Sequence, residues 1–515
     1  MVVRGSIFAI LLFCVATAWG QQVASEPHVG YLYPAGGQQG SVVQITVGGQ
    51  FLRGAVEVHI SGQGVRGSII KYMPLLRNIN TDQRKLLLAR LKELRDKRLA
   101  ELNQGQKTED GGQKTEDGKN DGRETKDERR VKSDESQTTP EVTLPEHPLL
   151  YDLENKSLRE LAHIASLLFF PREKLQMNRQ ISEFVLIEVA IDPNAAPGDR
   201  ELRLRTATGL TNPMVFQVGP LPEVRELEPN NRQATPERGT GVSRASRPRS
   251  EGGTPSAQRG QDGRDTRDAL ATEKPFEPPV VLNGQIMPGD VDRFRIRASR
   301  GQKLVMEVHA RSLIPYLADA VPGWFQATLA LYNAEGKEVA YADDYRFNPD
   351  PVLFYEIPQD GEYELEICDS IYRGREDFVY RIAVSEQPFI TRMFPLGGRE
   401  GAETIASIAG WNLPRNRLTL DTRPGGDCLR RTAFHQGKRF SNSVPYAVDT
   451  LPDCNEVETN NGARNAQQID LPRIVNGRIN RPGDVDVFRF QGRAGDKVAV
   501  EVYARRLNSP LDSLL

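Results

Sequence analysis

An acidic motif occurs twice in this chain, and the residues around it repeat with it. ELEPNN at 226–231 returns as EVETNN at 456–461, 230 positions later. Gly-Asp-Val-Asp follows each copy, at 289–292 and at 483–486. Self-similarity at a fixed spacing is the signature of a repeat architecture, and 515 residues exceed what one hydrophobic core usually serves. We therefore predict a tandem array of β-domains in which the repeated carboxylates are the concentrated chemistry.

A second unit precedes each acidic motif and also occurs twice. Residues 27–40 match residues 388–401 without a gap, 361 positions apart. The downstream ends of this unit, 212–222 and 442–452, lie only 230 positions apart. The first copy must therefore contain an insertion of 131 residues, which composition places at about 71–180.

Alternation of apolar and polar residues predicts β-strands outside the insertion. A period of two places one face of each strand in the core. Short strands separated by turn residues, such as Gln359-Asp360-Gly361, are typical of an antiparallel sandwich. We therefore predict a mainly β chain of tandem antiparallel β-sandwiches. The clearest predicted strands after the first acidic motif are 292–297, 303–309, 327–332, 363–368 and 378–384.

The insertion contains helical and polar stretches. Leucines at helical spacing predict an amphipathic helix over 81–103, and Ser157 is a candidate N-cap for a second helix over 158–170. Between them, 104–139 repeats QKTEDG with almost no apolar residue, which predicts disorder. We expect the two helices to pack as a hairpin on the side of the domain, as a surface excursion without activity.

The N-terminal residues predict export. Arg4 precedes an apolar run at 7–18 and a small-residue exit, which is the pattern of a secretory signal peptide over 1–20. No later segment has the length of apolar sequence that a membrane-spanning helix needs. The formal net charge is −2 with scattered basic residues, so nothing favours a nucleic-acid partner. We expect a secreted, periplasmic or cell-surface protein without a membrane span.

Three cysteines remain after the predicted signal peptide. They are Cys368, Cys428 and Cys454, an odd number for an oxidising compartment. Cys428 and Cys454 lie closest together in sequence and are the expected pair, which leaves one free thiol. The alternative is that all three are free and buried.

The repeated acidic residues are candidate calcium ligands. Carboxylate and amide oxygens fill a calcium shell of six to eight ligands. Residues at i and i+2 share one face of an extended strand, so two such strands could chelate one cation. The alternative is ordinary turn chemistry, because Asp and Asn side chains also cap turns. The candidate ligands are Glu226, Glu228, Asn230, Asp290 and Asp292, with their counterparts Glu456, Glu458, Asn460, Asp484 and Asp486.

The order of motifs in the first copy resembles the bacterial pre-peptidase C-terminal (PPC) domain. The resemblance implies a jelly-roll-like β-sandwich, found in secreted bacterial proteins and often next to peptidases. It also implies calcium at the ten candidate ligands, as in the related collagen-binding domains of collagenases. Thr459 departs from the proline of the pattern. The matching segments are 226–231, 283–284, 289–294, 301–302, 343–344, 360–363 and 380–381.

The preceding units, with Pro-x-Gly-Gly motifs, resemble immunoglobulin-like IPT/TIG domains, which are usually spacers or binding modules. The second PPC-like copy ends about halfway through the pattern of the first, so we expect a fragment or a truncated product. The predicted order is a signal peptide (1–20), a first immunoglobulin-like unit (24–222, with the insertion), a first acidic module (223–386, with a disordered loop at about 234–275), a second immunoglobulin-like unit (387–452) and a second, truncated acidic module (453–515).

Catalytic motifs are lacking among the histidines and serines of the sequence. None of the six histidines forms HExxH, and no Gly-x-Ser-x-Gly elbow occurs. His309 occupies the place of Tyr503 in the other copy, which favours a packing role. His163 lies on an apolar helix face and is interpreted in the same way. We therefore predict that the chain is not an enzyme.

Two functions remain open from the sequence. The first is a non-catalytic binding or scaffold protein that contacts an extracellular protein or polysaccharide. Strand residues Tyr341, Tyr345, Phe347 and Tyr355 could provide the contact surface, or could belong to the core. The second is an accessory region of a larger secreted peptidase or other hydrolase whose catalytic domain lies outside this chain.

Overall fold

The chain is mainly β, which confirms the predicted fold class, with thirty strands and two α-helices among the described residues. The computed structural model describes residues 26–107, 142–169, 181–226, 275–316, 323–437 and 439–515. No helix within these ranges is both long and apolar enough to cross a membrane. Outside them lie the predicted signal peptide, the polar segment from 108 onward and, except for its last residue, the loop at about 234–275.

The first immunoglobulin-like unit forms one continuous sheet around its own core. Its strands are β1 (His28–Tyr33), β2 (Gly36–Gln38), β3 (Val42–Gln50), β4 (Glu57–Ile60), β5 (Val65–Met73), β6 (Glu183–Ile191), β7 (Gly198–Thr206), β8 (Gly209–Leu210) and β9 (Met214–Gly219). The order is β1-β3-β6-β5-β4-β7-β9-β2, with β8 beside β7. Only two residues separate β1 from β2, which lie at opposite ends of this order, so the sheet curls. The strands thus form one hydrogen-bonded path, in which β4 and β5 are joined at the single pair Val58 and Gly67.

The first acidic module is a sandwich of two sheets. Their orders are β10-β11-β18-β13-β16 and β12-β17-β14-β15, and both contribute to one buried cluster that includes Leu282, Met306, Leu329 and Leu365. The predicted strands at 303–309 and 327–332 coincide with the observed ones. The strands are β10 (Glu223–Arg225), β11 (Val280–Gln285), β12 (Val291–Ala298), β13 (Lys303–His309), β14 (Ala327–Tyr332), β15 (Glu338–Ala342), β16 (Val352–Glu356), β17 (Gly361–Asp369) and β18 (Val379–Ser385).

The insertion leaves the first sheet between β5 and β6, which pair directly with each other. It contains α1 (Thr81–Lys107) and α2 (Leu158–Phe169), and α1 extends into the segment predicted to be disordered. Ser157 and Glu160 form a reciprocal capping box at the start of α2, with N–H to oxygen distances of 3.3 and 2.8 Å.

The two helices share an apolar cluster, as a hairpin requires. That cluster includes Leu87, Leu91 and Ile164 from the helices and also Met287 from the first acidic module. Arg159 lies against Gly289, and His163 Nε2 is 3.0 Å from Glu376 Oε1. The insertion therefore packs against the acidic module as well as against its own unit.

The second immunoglobulin-like unit repeats the local geometry of the first on two smaller sheets. Both copies carry a register shift in the first strand pair, at Val29/Tyr31 and at Ile390/Arg392. Its sheets have the orders β19-β21-β22 and β20-β26-β23, with a separate β24-β25 pair. The strands are β19 (Phe389–Phe394), β20 (Gly397–Arg399), β21 (Thr404–Trp411), β22 (Arg417–Leu420), β23 (Leu429–Thr432), β24 (His435–Gln436), β25 (Arg439–Phe440) and β26 (Val444–Asp449).

An aromatic joint connects this unit to the first acidic module. The Trp411 ring stacks on Phe354, with centroids 5.1 Å apart and planes 8° from parallel. Phe389 stacks on the same Trp411 at 5.3 Å and meets Tyr345 edge-on at 5.6 Å. Asn412 Nδ2 donates to the carbonyl of Lys303 at 2.7 Å across the same joint.

The second acidic module has little regular structure. Its strands are β27 (Asp453–Asn455), β28 (Gln467–Gln468), β29 (Ile474–Asn476) and β30 (Phe488–Arg489). The segment that corresponds to β13 is not a strand, and Val498, Val500 and Tyr503 within it are exposed. In the first module the corresponding strand, β13, pairs with β16 and β18.

Cys368, Cys428 and Cys454 are all free thiols. Cys428 and Cys454 are therefore not bonded to each other. Of the alternative, that all three are free and buried, the free state is observed, but only Cys368 is buried and Cys428 is exposed.

Candidate cation sites in the two acidic modules

In the first acidic module, Glu226 and Asp292 meet at the hydroxyl of Tyr380. That oxygen is 3.3 Å from Glu226 Oε2 and 2.5 Å from Asp292 Oδ2. Asp292 lies on β12 and is fully buried, whereas Glu226 lies just beyond β10. The parallel pairing of β10 with β11 carries Glu226 to this place. A glutamate and an aspartate far apart in sequence thus face each other in the folded module.

The other oxygen of Glu226 is held by two donors. The backbone N–H of Gln285 donates to Oε1 at 2.8 Å, and the hydroxyl of Tyr33 donates to it at 3.0 Å. Tyr33 ends β1, so it reaches this site from the first immunoglobulin-like unit. The cluster therefore lies at the contact between two units.

Asp290 lies beside this cluster in the turn before β12. Its carboxylate accepts from the backbone N–H of Val291 at 3.0 Å and of Met287 at 3.4 Å. These bonds are the turn chemistry that the sequence offered as the alternative reading. Asp290 is 5% exposed and close enough to Asp292 for their charges to interact.

Negative charge is concentrated around Asp292. Burial, followed by the charges of Glu226 and Asp290, raises the pKa of Asp292 well above its usual value. Within the described part of the chain, Asp292 Oδ1 has no hydrogen-bond donor. A buried carboxylate in this state is stabilised by a proton or by a cation. Because the neighbouring ligands are oxygens, the pocket suits a hard cation.

In the second acidic module three carboxylates converge. Glu458, Asp484 and Asp486 offer oxygen atoms that all lie within 4.8 Å of one another. Asn480 contributes its backbone N–H to Asp484 at 2.8 Å and its amide nitrogen to Glu458 at 2.9 Å. The three side chains are half-buried or exposed, so this cluster is open to solvent.

Asn460 lies inside the second cluster and is fully buried. In one orientation of its amide, the nitrogen lies 3.1 Å from Glu458 Oε2 and 3.2 Å from Asp486 Oδ1 and donates to both. In the other orientation the amide oxygen faces the two carboxylates, an arrangement that a cation or a protonated carboxyl group would compensate. The donor set therefore fits either an apo state or a calcium-bound state.

Glu456 completes the second cluster and repeats the position of Glu226. The backbone N–H of Arg478 donates to Glu456 Oε2 at 2.8 Å, as Gln285 does to Glu226. Burial raises the pKa values of Glu456 and Asp486. The charge of Asp486 adds to the rise for Glu456, and those of Asp484 and Glu458 add to the rise for Asp486. Crowded carboxylates are thus a property of both modules.

The predicted ligands fall into three groups. The structure gathers Glu226, Asp290 and Asp292 in the first module and all five of Glu456, Glu458, Asn460, Asp484 and Asp486 in the second. Glu228 and Asn230 lie outside the described residues. Glu226 and Glu456 each lie one residue beyond the last residue of β10 and β27, and their backbone N–H groups donate to the carbonyls of Asn283 and Asn476 at 2.9 and 2.8 Å.

Sequence reasoning missed Tyr33 and Tyr380 as members of the first cluster. Tyr380 was part of the matched pattern but was given no role. Tyr33 aligns with Phe394 in the repeat, where the ring is kept and the hydroxyl is lost. The hydroxyl that is present in the first copy and absent from the second was the sequence difference that could have identified Tyr33. In the second copy the guanidinium of Arg478 lies 3.7 Å from the centre of the Phe394 ring.

The nearest approach to a nucleophilic triad that we find in the described ranges is at the end of β13. Ser312 Oγ is 3.4 Å from His309 Nδ1, and His309 Nε2 is 3.8 Å from Glu307 Oε1. The second distance is too long for a hydrogen bond, so Glu307 does not orient the imidazole. The arrangement does not activate the serine.

The four aromatic residues considered for partner binding do not form one surface. Tyr341 and Phe347 are exposed, at 46% and 60%. Tyr345 packs into the aromatic joint, and Tyr355 packs on the core of the first module.

No protein-family model matches this chain. Over 133 residues it is 32% identical to the "Probable subtilase-type serine protease" of Deinococcus radiodurans, a match that covers 25% of this chain and 17% of that protein. The match thus spans about a sixth of the length of that relative.

Two solved structures, from a collagenase and from a serine protease, are similar to parts of the chain. One is the pre-peptidase C-terminal domain of a collagenase from Bacillus anthracis, at 12% identity and a TM-score of 0.16, over 22% of this chain and 100% of that one. The other is the secreted serine protease VesC from Vibrio cholerae, at 10% identity and a TM-score of 0.14, over 40% of this chain and 36% of that one. These TM-scores are too low to support a conclusion about fold or function.

Proposed function

We propose that this chain is an exported, non-catalytic binding or scaffold protein whose acidic modules are stabilised by calcium. The observation that carries the proposal is the convergence of Glu458, Asp484 and Asp486 within 4.8 Å. Three carboxylates at such distances repel one another unless a cation or protons compensate their charge. Calcium accepts six to eight oxygen ligands in flexible geometry, which suits an open loop cluster of this kind.

The same set of residues would hold the ion in each module. In the second module the ligands are the three carboxylates, Glu456 and the amide oxygen of Asn460. In the first module they are Glu226, Asp290 and Asp292, with Glu228 and Asn230 added by the repeat. The ion would supply charge compensation and would tie loops together.

The scaffold role rests on how the units are connected. The aromatic joint and the Tyr33 contact hold successive units against each other. Export rests on the predicted signal peptide. The partner that we propose is an extracellular protein or polysaccharide.

Calcium titration of the whole chain tests the ion. We expect binding heat and a higher melting temperature in calcium, because an ion present at 100 times its Kd stabilises the folded state by about 2.7 kcal/mol. Asp484→Asn with Asp486→Asn should remove part of the heat while keeping side-chain volume. Asp470→Asn, at an exposed aspartate outside both clusters, is the matched control. Equal titrations of all three proteins, or no response to calcium, would contradict the proposal.

A second candidate function is favoured by the match to the subtilase-type protease. In that case the chain is an accessory region of a larger secreted peptidase whose catalytic domain lies outside it. Protein expressed from the complete gene would then cleave a casein substrate and lose this activity in a serine-protease inhibitor. Absence of cleavage by that protein would favour the scaffold function.

A further inference from the structure

Tyr33 belongs to one unit and binds a carboxylate of the next. Its hydroxyl donates to Glu226 Oε1 at 3.0 Å, and the N–H of Gln285 donates to the same oxygen at 2.8 Å. With Oε1 held by two donors, Oε2 is turned towards the hydroxyl of Tyr380 and hence towards Asp292. Tyr33 therefore fixes the rotation of the Glu226 carboxylate from outside the acidic module.

A separate observation points to a bound ligand at the cluster of Glu226 and Asp292. Asp292 is fully buried, and its Oδ1 has no donor among the residues that the structure describes. A buried acceptor without a donor is costly. Oxygen atoms that face one another in a buried pocket are the arrangement that a hard cation compensates.

We propose that Tyr33 is a positioning residue of a calcium site shared by the first immunoglobulin-like unit and the first acidic module, so that calcium strengthens the contact between them. This inference rests on the proposed calcium binding by the acidic clusters. It adds Tyr33, which lies outside the acidic module, to the site. It also predicts that calcium binding is coupled to the contact between the first immunoglobulin-like unit and the first acidic module. By thermodynamic reciprocity, if the contact between these two units orients the Glu226 carboxylate for calcium, then calcium binding stabilises that contact.

The second copy provides an internal comparison. Phe394 stands in the place of Tyr33 and has no hydroxyl to donate to Glu456. The guanidinium of Arg478 covers the Phe394 ring instead. Phe394 therefore gives the second site no hydrogen bond of the kind that Tyr33 gives the first, and calcium there should not strengthen the contact between the second immunoglobulin-like unit and the second acidic module.

The experiment uses calcium chloride as the probe and the whole chain carrying Asp484→Asn and Asp486→Asn, which isolates the first site. In this background Tyr33→Phe removes one oxygen atom and gives the residue of the second copy. We expect calcium to bind roughly tenfold more weakly, since a hydrogen bond to a charged group is lost. The matched control is Tyr316→Phe. It removes a hydroxyl that donates to the carbonyl of Gly30 at 2.8 Å, also between the first acidic module and the first immunoglobulin-like unit. It should leave the Kd for calcium unchanged.

Hydrogen exchange supplies a readout of the joint itself. In the background protein, calcium should slow exchange of the Glu226 and Gln285 amides and of β1. In the Tyr33→Phe variant the protection of β1 should be lost, while Tyr316→Phe should keep it. If calcium binds the first site equally well in both tyrosine variants, the inference is overturned and the proposed calcium function stands. If the unmodified chain binds no calcium, both are overturned.

Discussion

Gly284 shows how closely the first cluster is packed at the scale of single residues. A Cβ atom at this position would overlap the hydroxyl of Tyr380 and Oε2 of Glu226. Gly477 repeats the situation, since a Cβ there would lie 2.8 Å from Glu456 Oε2. The Asn-Gly pair of each copy therefore leaves room for the carboxylate that follows the parallel strand.

Replacing this glycine should destabilise the first acidic module. We expect Gly284→Ala to lower the free energy of unfolding by about 1–3 kcal/mol, the usual cost of overpacking a filled site. Urea denaturation followed by tyrosine and tryptophan fluorescence measures the change. Gly361→Ala is the control, because a Cβ there meets nothing within 4 Å. Equal losses in the two variants would refute the packing argument.

Residue identity at the site could be predicted from the sequence only where it repeats. The repeated Glu, Asn and Asp positions identified the ligand candidates before any contact was known. Tyr33 could not be assigned in this way, because its role depends on how two units dock, and docking leaves no periodic pattern.

At the scale of elements, helix α2 shows what local sequence can and cannot specify. Its start is encoded by Ser157 and Glu160, and its apolar face by leucines at helical spacing. Its partner on the acidic module is not encoded nearby, since Glu376 lies 213 residues from His163. His163 was interpreted as a packing residue, and the structure gives it a charged partner as well.

The contact between His163 and Glu376 should depend on pH. Burial lowers the pKa of His163, but the charge and hydrogen bond of Glu376 outweigh it, and the net pKa is raised. Burial raises the pKa of Glu376, but the charge and hydrogen bond of His163 outweigh it, and the net pKa is lowered. The histidine contribution is complete below its unfolded pKa and is lost as pH rises through the raised folded value. The glutamate contribution is lost as pH falls through its lowered value.

We therefore expect the pair to stabilise docking of the insertion between those two pKa values, by about 1.5–3 kcal/mol. Thermal unfolding of the wild type and of His163→Gln, followed by circular dichroism at pH 5.5 and pH 9, measures the difference. The difference in melting temperature between the wild type and His163→Gln should be large at pH 5.5 and small at pH 9. His59→Gln is the control, because His59 forms an exposed pair with Glu57. A gap that stays constant with pH would rule out the ion pair.

At the scale of the whole molecule, the order of the units followed from the repeats, and the mainly β class followed from alternation. The boundaries of the units remain predictions. The contacts between units did not follow from either pattern. Trp411 aligns with Gln50 of the first copy, so nothing in the repeat indicated that it would stack on Phe354. Such contacts arise from residues that differ between the two copies. A comparison of the copies with each other therefore does not identify them.

The stacked rings of Phe354, Trp411 and Phe389 also limit how far the second immunoglobulin-like unit can move against the first acidic module. Bending at this position would expose flat apolar surfaces to water, so the joint resists hinge motion. The first acidic module and the second immunoglobulin-like unit are therefore held in a constant relative orientation, and a force that separates them has to break the ring stacking before either core opens.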